Sequence, residues 1–115
     1  MAKLSLKHQG TLCLVPFPFS DQTGSKVRPV IILSNNAYNK NTHDVIVAAI
    51  TSNSLGEYRF KISNNDIQIG KLIKDSYIMT DNILRIAQRI IIKPFAKISQ
   101  NCYDDVYQEI ISLFH

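Results

Sequence analysis

Apolar residues along this chain gather in short blocks separated by turn-forming residues. Val30-Ile31-Ile32-Leu33 and Val45-Ile46-Val47-Ala48-Ala49-Ile50 are unbroken apolar runs, the pattern of strands buried on both faces. Tyr58-Arg59-Phe60-Lys61-Ile62 alternates apolar with basic side chains, as a half-exposed strand does. The pattern predicts strands over 11–17, 27–33, 45–50, 58–62, 76–80 and 83–93, the last of them stopped by Pro94. In that last strand Leu84, Ile86, Ile90 and Ile92 would share a buried face, with Arg85, Ala87 and Arg89 opposite. The arginines read either as a solvated face or as a phosphate track. Residues 35–44 are rich in Asn, a loop with room for one helical turn, and 63–70 turn the chain. Ser99 is placed as an N-cap, with Asp104 and Asp105 shortly after it. Cys102, Tyr103, Val106, Ile110, Leu113 and Phe114 then form one apolar stripe at helical spacing. The expectation is a mainly β fold, one domain over 1–115. Its sheet is a small, strongly bent antiparallel one or a partly open barrel, with a C-terminal α-helix.

The junction between the first two strands breaks this regularity. Phe17 and Phe19 alternate with Pro16 and Pro18, so the backbone there is extended without an inner ladder. A polar stretch, 20–26, follows, and then Arg28-Pro29 opens the second apolar run. Arg28 is a permanent cation on a stiff element beside a polar loop, a suitable place to hold a phosphate. The third strand runs straight into Thr51-Ser52, so hydroxyl groups stand at the sheet's end, where sites are often built.

Composition narrows the field modestly. The 115 residues carry 13 Lys and Arg against 9 Asp and Glu, a net charge of +4 that favours an anionic partner, nucleic acid above all. Cys13 and Cys102 lie far apart in apolar surroundings and read as core residues in a reducing compartment. With only His8, His43 and His115 and no CxxC spacing, a zinc site is not expected. No signal peptide or membrane span is legible, which points to the cytoplasm.

Four blocks together resemble a known family. Gly10-Thr11-Leu12-Cys13-Leu14-Val15-Pro16-Phe17, Val27-Arg28-Pro29-Val30-Ile31-Ile32-Leu33-Ser34 and Ala49-Ile50-Thr51-Ser52 are similar to the N-terminal blocks of MazF/PemK-type toxins. Lys74-Asp75-Ser76-Tyr77-Ile78 and Asp81-Asn82-Ile83 resemble the fourth, and the capped C-terminal helix agrees. The resemblance implies a CcdB/PemK-like, SH3-like bent sheet assembled as a homodimer. It also implies a metal-independent, sequence-selective endoribonuclease of single-stranded RNA, needing no cofactor and restrained by a cognate antitoxin.

Cleavage of RNA without a metal uses the neighbouring 2′-hydroxyl as nucleophile, leaving a 2′,3′-cyclic phosphate and a 5′-hydroxyl. It needs a base, stabilisation of charge on the phosphate oxygens and an acid for the leaving oxygen. The resemblance places Arg28 and Thr51 at the active centre. Arg28 has the planar fork to hold two phosphate oxygens, and Thr51 would hydrogen-bond the phosphate or orient the attacking hydroxyl, with Ser52 assisting. Asp81 stands where relatives carry an acid; it reads as a base, as a support for Arg28, or as an ordinary exposed aspartate. Ser20, Gln22 and Lys26 are RNA-contact candidates that read equally as solvated loop residues. The chain departs from the family at Gly10-Thr11 in place of Gly-Asp, at Gln22 in place of a loop histidine, and at Leu84-Arg85-Ile86-Ala87 in place of Arg-Thr-Ile-Asp. Arg85 could stand in for the lost arginine only from the other face of its strand. The alternative is a non-catalytic member of the same fold that binds a DNA topoisomerase, as CcdB gyrase poisons do, or nucleic acid. A gyrase poison would not need the Arg28/Thr51 pair.

Overall fold

A computed structural model describes residues 4–5, 8–18 and 25–115, the side chains of 17, 18 and 25 excepted. Within them, seven strands form a single antiparallel sheet: β1 (Thr11–Pro18), β2 (Ser25–Ile32), β3 (Asp44–Thr51), β4 (Arg59–Ile62), β5 (Ile67–Gly70), β6 (Ser76–Ala87) and β7 (Lys93–Ile98). Their spatial order is β4-β6-β3-β2-β1-β7-β5. A six-residue helix, α1 (Asn36–Asn41), follows β2, and α2 (Gln100–Ile111) follows β7. This is the mainly β, strongly bent sheet with a C-terminal helix that the hydrophobic pattern predicts.

The unbroken apolar runs are explained by burial on both faces. Leu12, Ile31, Ala48 and Ile50 point to one core, shared with Ile78, Ile98 and the α2 residues Cys102, Tyr103 and Val106. Their immediate neighbours Cys13, Val30, Ile32 and Val47 point the other way, into a second core with Val15, Val45 and Ile86. Successive residues of one strand thus serve two cores, which leaves no polar position to alternate.

α2 is fixed at its start. The Ser99 hydroxyl accepts the Cys102 N–H at 3.2 Å, and the Tyr103 hydroxyl donates to the Leu33 carbonyl at 2.6 Å. Removing the cap with Ser99→Ala is expected to cost about 1 kcal/mol. In urea unfolding this would appear as a lower midpoint at unchanged slope; an unchanged midpoint would mean the bond contributes nothing.

Several sequence expectations require correction. The two strands foreseen over 76–80 and 83–93 are instead one, β6, ending at Ala87, followed by a 3₁₀ turn over Gln88–Ile90. Gln88 anchors that turn: its side-chain amide donates to the carbonyls of Asn39, Thr42 and Asp44. Arg89 therefore shares no strand face with Arg85. Ile91 is buried against the second core, and Ile92 is 54% exposed. Pro94 stops nothing and lies inside β7. It sits opposite Cys13 beside a register shift in the β1 ladder, and beyond Ala96, where the β5 pairing ends. A proline is accommodated where a ladder is already interrupted. Residues 63–70 do more than turn, since Ile67–Gly70 is an edge strand on β7. At the C-terminus, Phe114 of the expected stripe is exposed. No helix among the described residues is long and apolar enough to cross a membrane.

Candidate functional site

A cleft of about 460 Å³ opens where the end of β3 and the start of β2 face β7 and the segment 71–74. Sheet register assembles it. Leu14 in β1 is paired with Pro29 on one side and Lys93 on the other. Two strand spacings, about 10 Å, therefore separate the β2 and β7 backbones that form its walls. On the β2 side, Val30 is opposite Ala49 of β3, so the start of β2 with Arg28 and the end of β3 with Thr51 leave the ladder at the same end. Both residues line the cleft, and so does Ser52.

Arg28 is half-buried, as a side chain at the rim of a packed strand should be. Thr51 closes β3, opposite Tyr77 of β6. Its hydroxyl oxygen accepts the Asn53 N–H at 3.1 Å. With one of its lone pairs engaged locally, the hydroxyl keeps its proton to donate, which is what a phosphate oxygen requires.

The sequence reading missed the opposite wall. Lys71, Lys74 and Lys93 all line the cleft and all are exposed, and among the described residues no Asp or Glu lines it. Asp75, next to Lys74, is engaged outward with Lys61 at 3.4 Å. Arg28 and the three lysines thus converge on one concavity without a described carboxylate among them, an arrangement that holds anions. A partial signal was legible: Lys71-Leu72-Ile73-Lys74 brackets two apolar residues with charge just ahead of a strand.

The other candidates fall elsewhere. Lys26 is exposed on β2 outside the cleft lining. Asp81 is exposed in a bulged stretch of β6, where Ala48 and Ile50 of β3 pair with Ile83 and Ile78, and it does not line the cleft. Arg85 is opposite Ile46 and lies 3.9 Å from the Asp44 carboxylate, an exposed ion pair away from Arg28. Ser20 and Gln22 lie outside the described residues.

Neither cysteine offers a nucleophile. Burial pushes the Cys13 thiol up to about 12, and burial with Asp66 and Asp105 nearby does the same for Cys102. Among the described residues no three of His, Cys, Asp and Glu are grouped as metal ligands would be.

Known proteins share this fold. Residues 8–114 match the family described as PemK-like, MazF-like toxin of type II toxin-antitoxin system. No curated protein matches the sequence. Among solved structures, a chain of MazE-MazF from Deinococcus radiodurans superposes with a TM-score of 0.76 at 20% identity, over 96% of this chain and 97% of that one. An endoribonuclease in complex with its cognate antitoxin from a mycobacterial species gives 0.69 at 17%, over 93% and 91%. The Mycobacterium tuberculosis toxin MazF-mt6 gives 0.68 at 18%, over 89% and 95%. At these identities the likeness is one of fold.

Proposed function

This chain belongs to the PemK-like, MazF-like toxins of type II toxin-antitoxin systems, and from that premise we propose that it is a metal-independent, sequence-selective endoribonuclease of single-stranded RNA. The observation that carries the reading is the cleft in which Arg28 and Thr51 meet Lys71, Lys74 and Lys93. In this mechanism the 2′-hydroxyl loses its proton and attacks the adjacent phosphorus, the O2′–P bond forming as the P–O5′ bond breaks and the departing 5′-oxygen takes up a proton. Arg28 holds two phosphate oxygens as negative charge builds on them, and Thr51 donates a hydrogen bond to the same phosphate. The products are a 2′,3′-cyclic phosphate and a 5′-hydroxyl. Asp81 lies outside the cleft lining, so the general base and acid are not assigned to it.

The solved relatives include MazE-MazF and an endoribonuclease bound to its cognate antitoxin. By analogy with those complexes, we infer that this chain is restrained by an antitoxin of its own; a homodimer acting in the cytoplasm is what the family resemblance implies.

The test is direct. The folded protein, free of any antitoxin, is incubated with long single-stranded RNA in excess EDTA, and the new 5′ ends are mapped. Discrete cuts ending in 5′-hydroxyls are expected. Cuts that appear only after a divalent cation is restored would overturn metal independence. Intact RNA under both conditions would overturn the ribonuclease reading and leave a binding protein on this scaffold.

A further inference from the structure

The Thr51 hydroxyl takes its hydrogen bond from a loop whose every residue is exposed. β3 and β4 lie on either side of β6 and both run antiparallel to it, so residues 52–58 carry the chain across β6. None of the seven is buried, and Leu55 is 77% exposed. A segment with no buried side chain opens at little cost, yet this one is tied by polar contacts. The Asn53 N–H donates to the Thr51 hydroxyl at 3.1 Å, and the Asn53 side-chain oxygen accepts the Leu55 N–H at 2.9 Å. Arg59, the first residue of β4, reaches back and donates through Nη1 to the Asn53 carbonyl. Gly56 closes over the same guanidinium: at its φ of +122°, an added Cβ would stand 2.9 Å from Nη2 and 3.1 Å from Cζ. Arg59 is half-buried and makes no ion pair among the described residues. The loop is wrapped around this one cation, and Asn53 stands between it and Thr51.

We propose that Arg59 is a positioning residue for RNA cleavage, acting on Thr51 through Asn53. The proposal rests on the ribonuclease reading and on the place of Thr51 in it. The carbonyl held by Arg59 and the N–H that meets Thr51 belong to one residue and are joined through a single Cα, so a guanidinium on the first restricts the second. Thr51 is β-branched and has few χ1 states. The Asn53 N–H on one lone pair selects among them and leaves the hydroxyl proton to donate. Without the guanidinium, the exposed loop is free to carry that N–H away and the hydroxyl turns among its rotamers. Arg59 does not line the cleft, so it is not a phosphate ligand in this reading. Its loss therefore falls on the reacting step, where a small misplacement of a donor costs most.

The experiment is a double-mutant cycle, read in single-turnover cleavage at saturating RNA with thermal unfolding of each variant as control. Thr51→Ala is expected to slow cleavage by about 10²-fold and Arg59→Ala by about tenfold. In the Thr51→Ala background, Arg59→Ala should cost less than about twofold, because the group it positions is gone. Gly56→Ala keeps the guanidinium but pushes it off the Asn53 carbonyl; it should show a loss with the same dependence on Thr51. If Arg59→Ala does not fold, Gly56→Ala completes the cycle in its place. A fluorescent 2′-O-methyl oligoribonucleotide, which lacks the attacking hydroxyl, should bind Arg59→Ala with the parent's slope of log Kd against log salt. Losses that multiply would overturn the proposal, since an arginine with a merely structural role acts whether or not Thr51 is present. A slope flatter by about 0.7 would also overturn it and make Arg59 a phosphate contact. A parent that cuts RNA yet gives either result refutes the role of Arg59 alone. A parent that leaves RNA intact refutes the ribonuclease reading on which it rests.

Discussion

Arg28→Ala is expected to lower the rate of RNA cleavage by about 10²–10³-fold while leaving the fold in place. The size of the loss is that of removing one preorganised donor from developing charge in a water-poor site. The fold should survive because Arg28 is only half-buried and its backbone pairing with Val15 does not depend on the side chain. Arg28→Lys separates charge from shape: it keeps the cation and loses the two-pronged fork, so its rate should fall between those of the parent and the alanine variant. Single-turnover cleavage assays, with thermal unfolding of each variant as control, measure both. A stable alanine variant cutting at the parent's rate would show that the reacting phosphate is not held by Arg28.

The largest effect on stability is expected where there is no side chain at all, at Gly70→Ala. Gly70 ends β5 with φ +79°, a conformation that side chains other than glycine rarely take. An added Cβ would stand 2.3 Å from the Phe95 carbonyl oxygen and 2.9 Å from the Ala96 Cα. Both neighbours are backbone atoms, so no rotamer change relieves the clash; β5 must separate from β7 or lose its pairing. A cost of about 2–4 kcal/mol follows, a fall in Tm of roughly 10–20 °C for a domain of this size. Phe95 is also part of the cleft, so RNA binding should weaken even below the new Tm. A Tm within a few degrees of the parent's would mean that β5 yields at little cost and contributes less than its ladder suggests.

Most of the fold was legible because burial on both faces writes itself as unbroken apolar runs. Val30 to Leu33 and Val45 to Ile50 needed no context to be read as strands. The errors lie where local pattern and long-range pairing disagree. Ile90-Ile91-Ile92 continues the apolar look of β6, yet the backbone turns at Gln88, whose amide is held by three carbonyls from α1 and the chain around it. Nothing within the segment announces that tether. Pro94 is a local stop signal overruled because β1 already shifts register there. β5 went unread since Ile67 and Ile69 are only two apolar positions, too few to show a period.

The site divides in the same way. Arg28 and Thr51 were legible as candidates because they stand at strand ends within blocks that resemble the family, and the structure sets both on one cleft. Lys71, Lys74 and Lys93 were missed because surface lysines are common and nothing local marks three of them as neighbours. β7 pairing with β1 is what brings Lys93 within two strands of Arg28.

That pairing also sets an order in time. β1 lies between β2, which follows it almost at once in the chain, and β7, the last strand, with Thr11 opposite Lys97. A chain emerging from the ribosome therefore holds β1 with one side open until residues 93–98 have been made. Arg28 and Thr51 are synthesised well before Lys93 and Phe95, which complete the other wall. For a protein proposed to cut RNA, this leaves the cleft unfinished while its own message is still being translated.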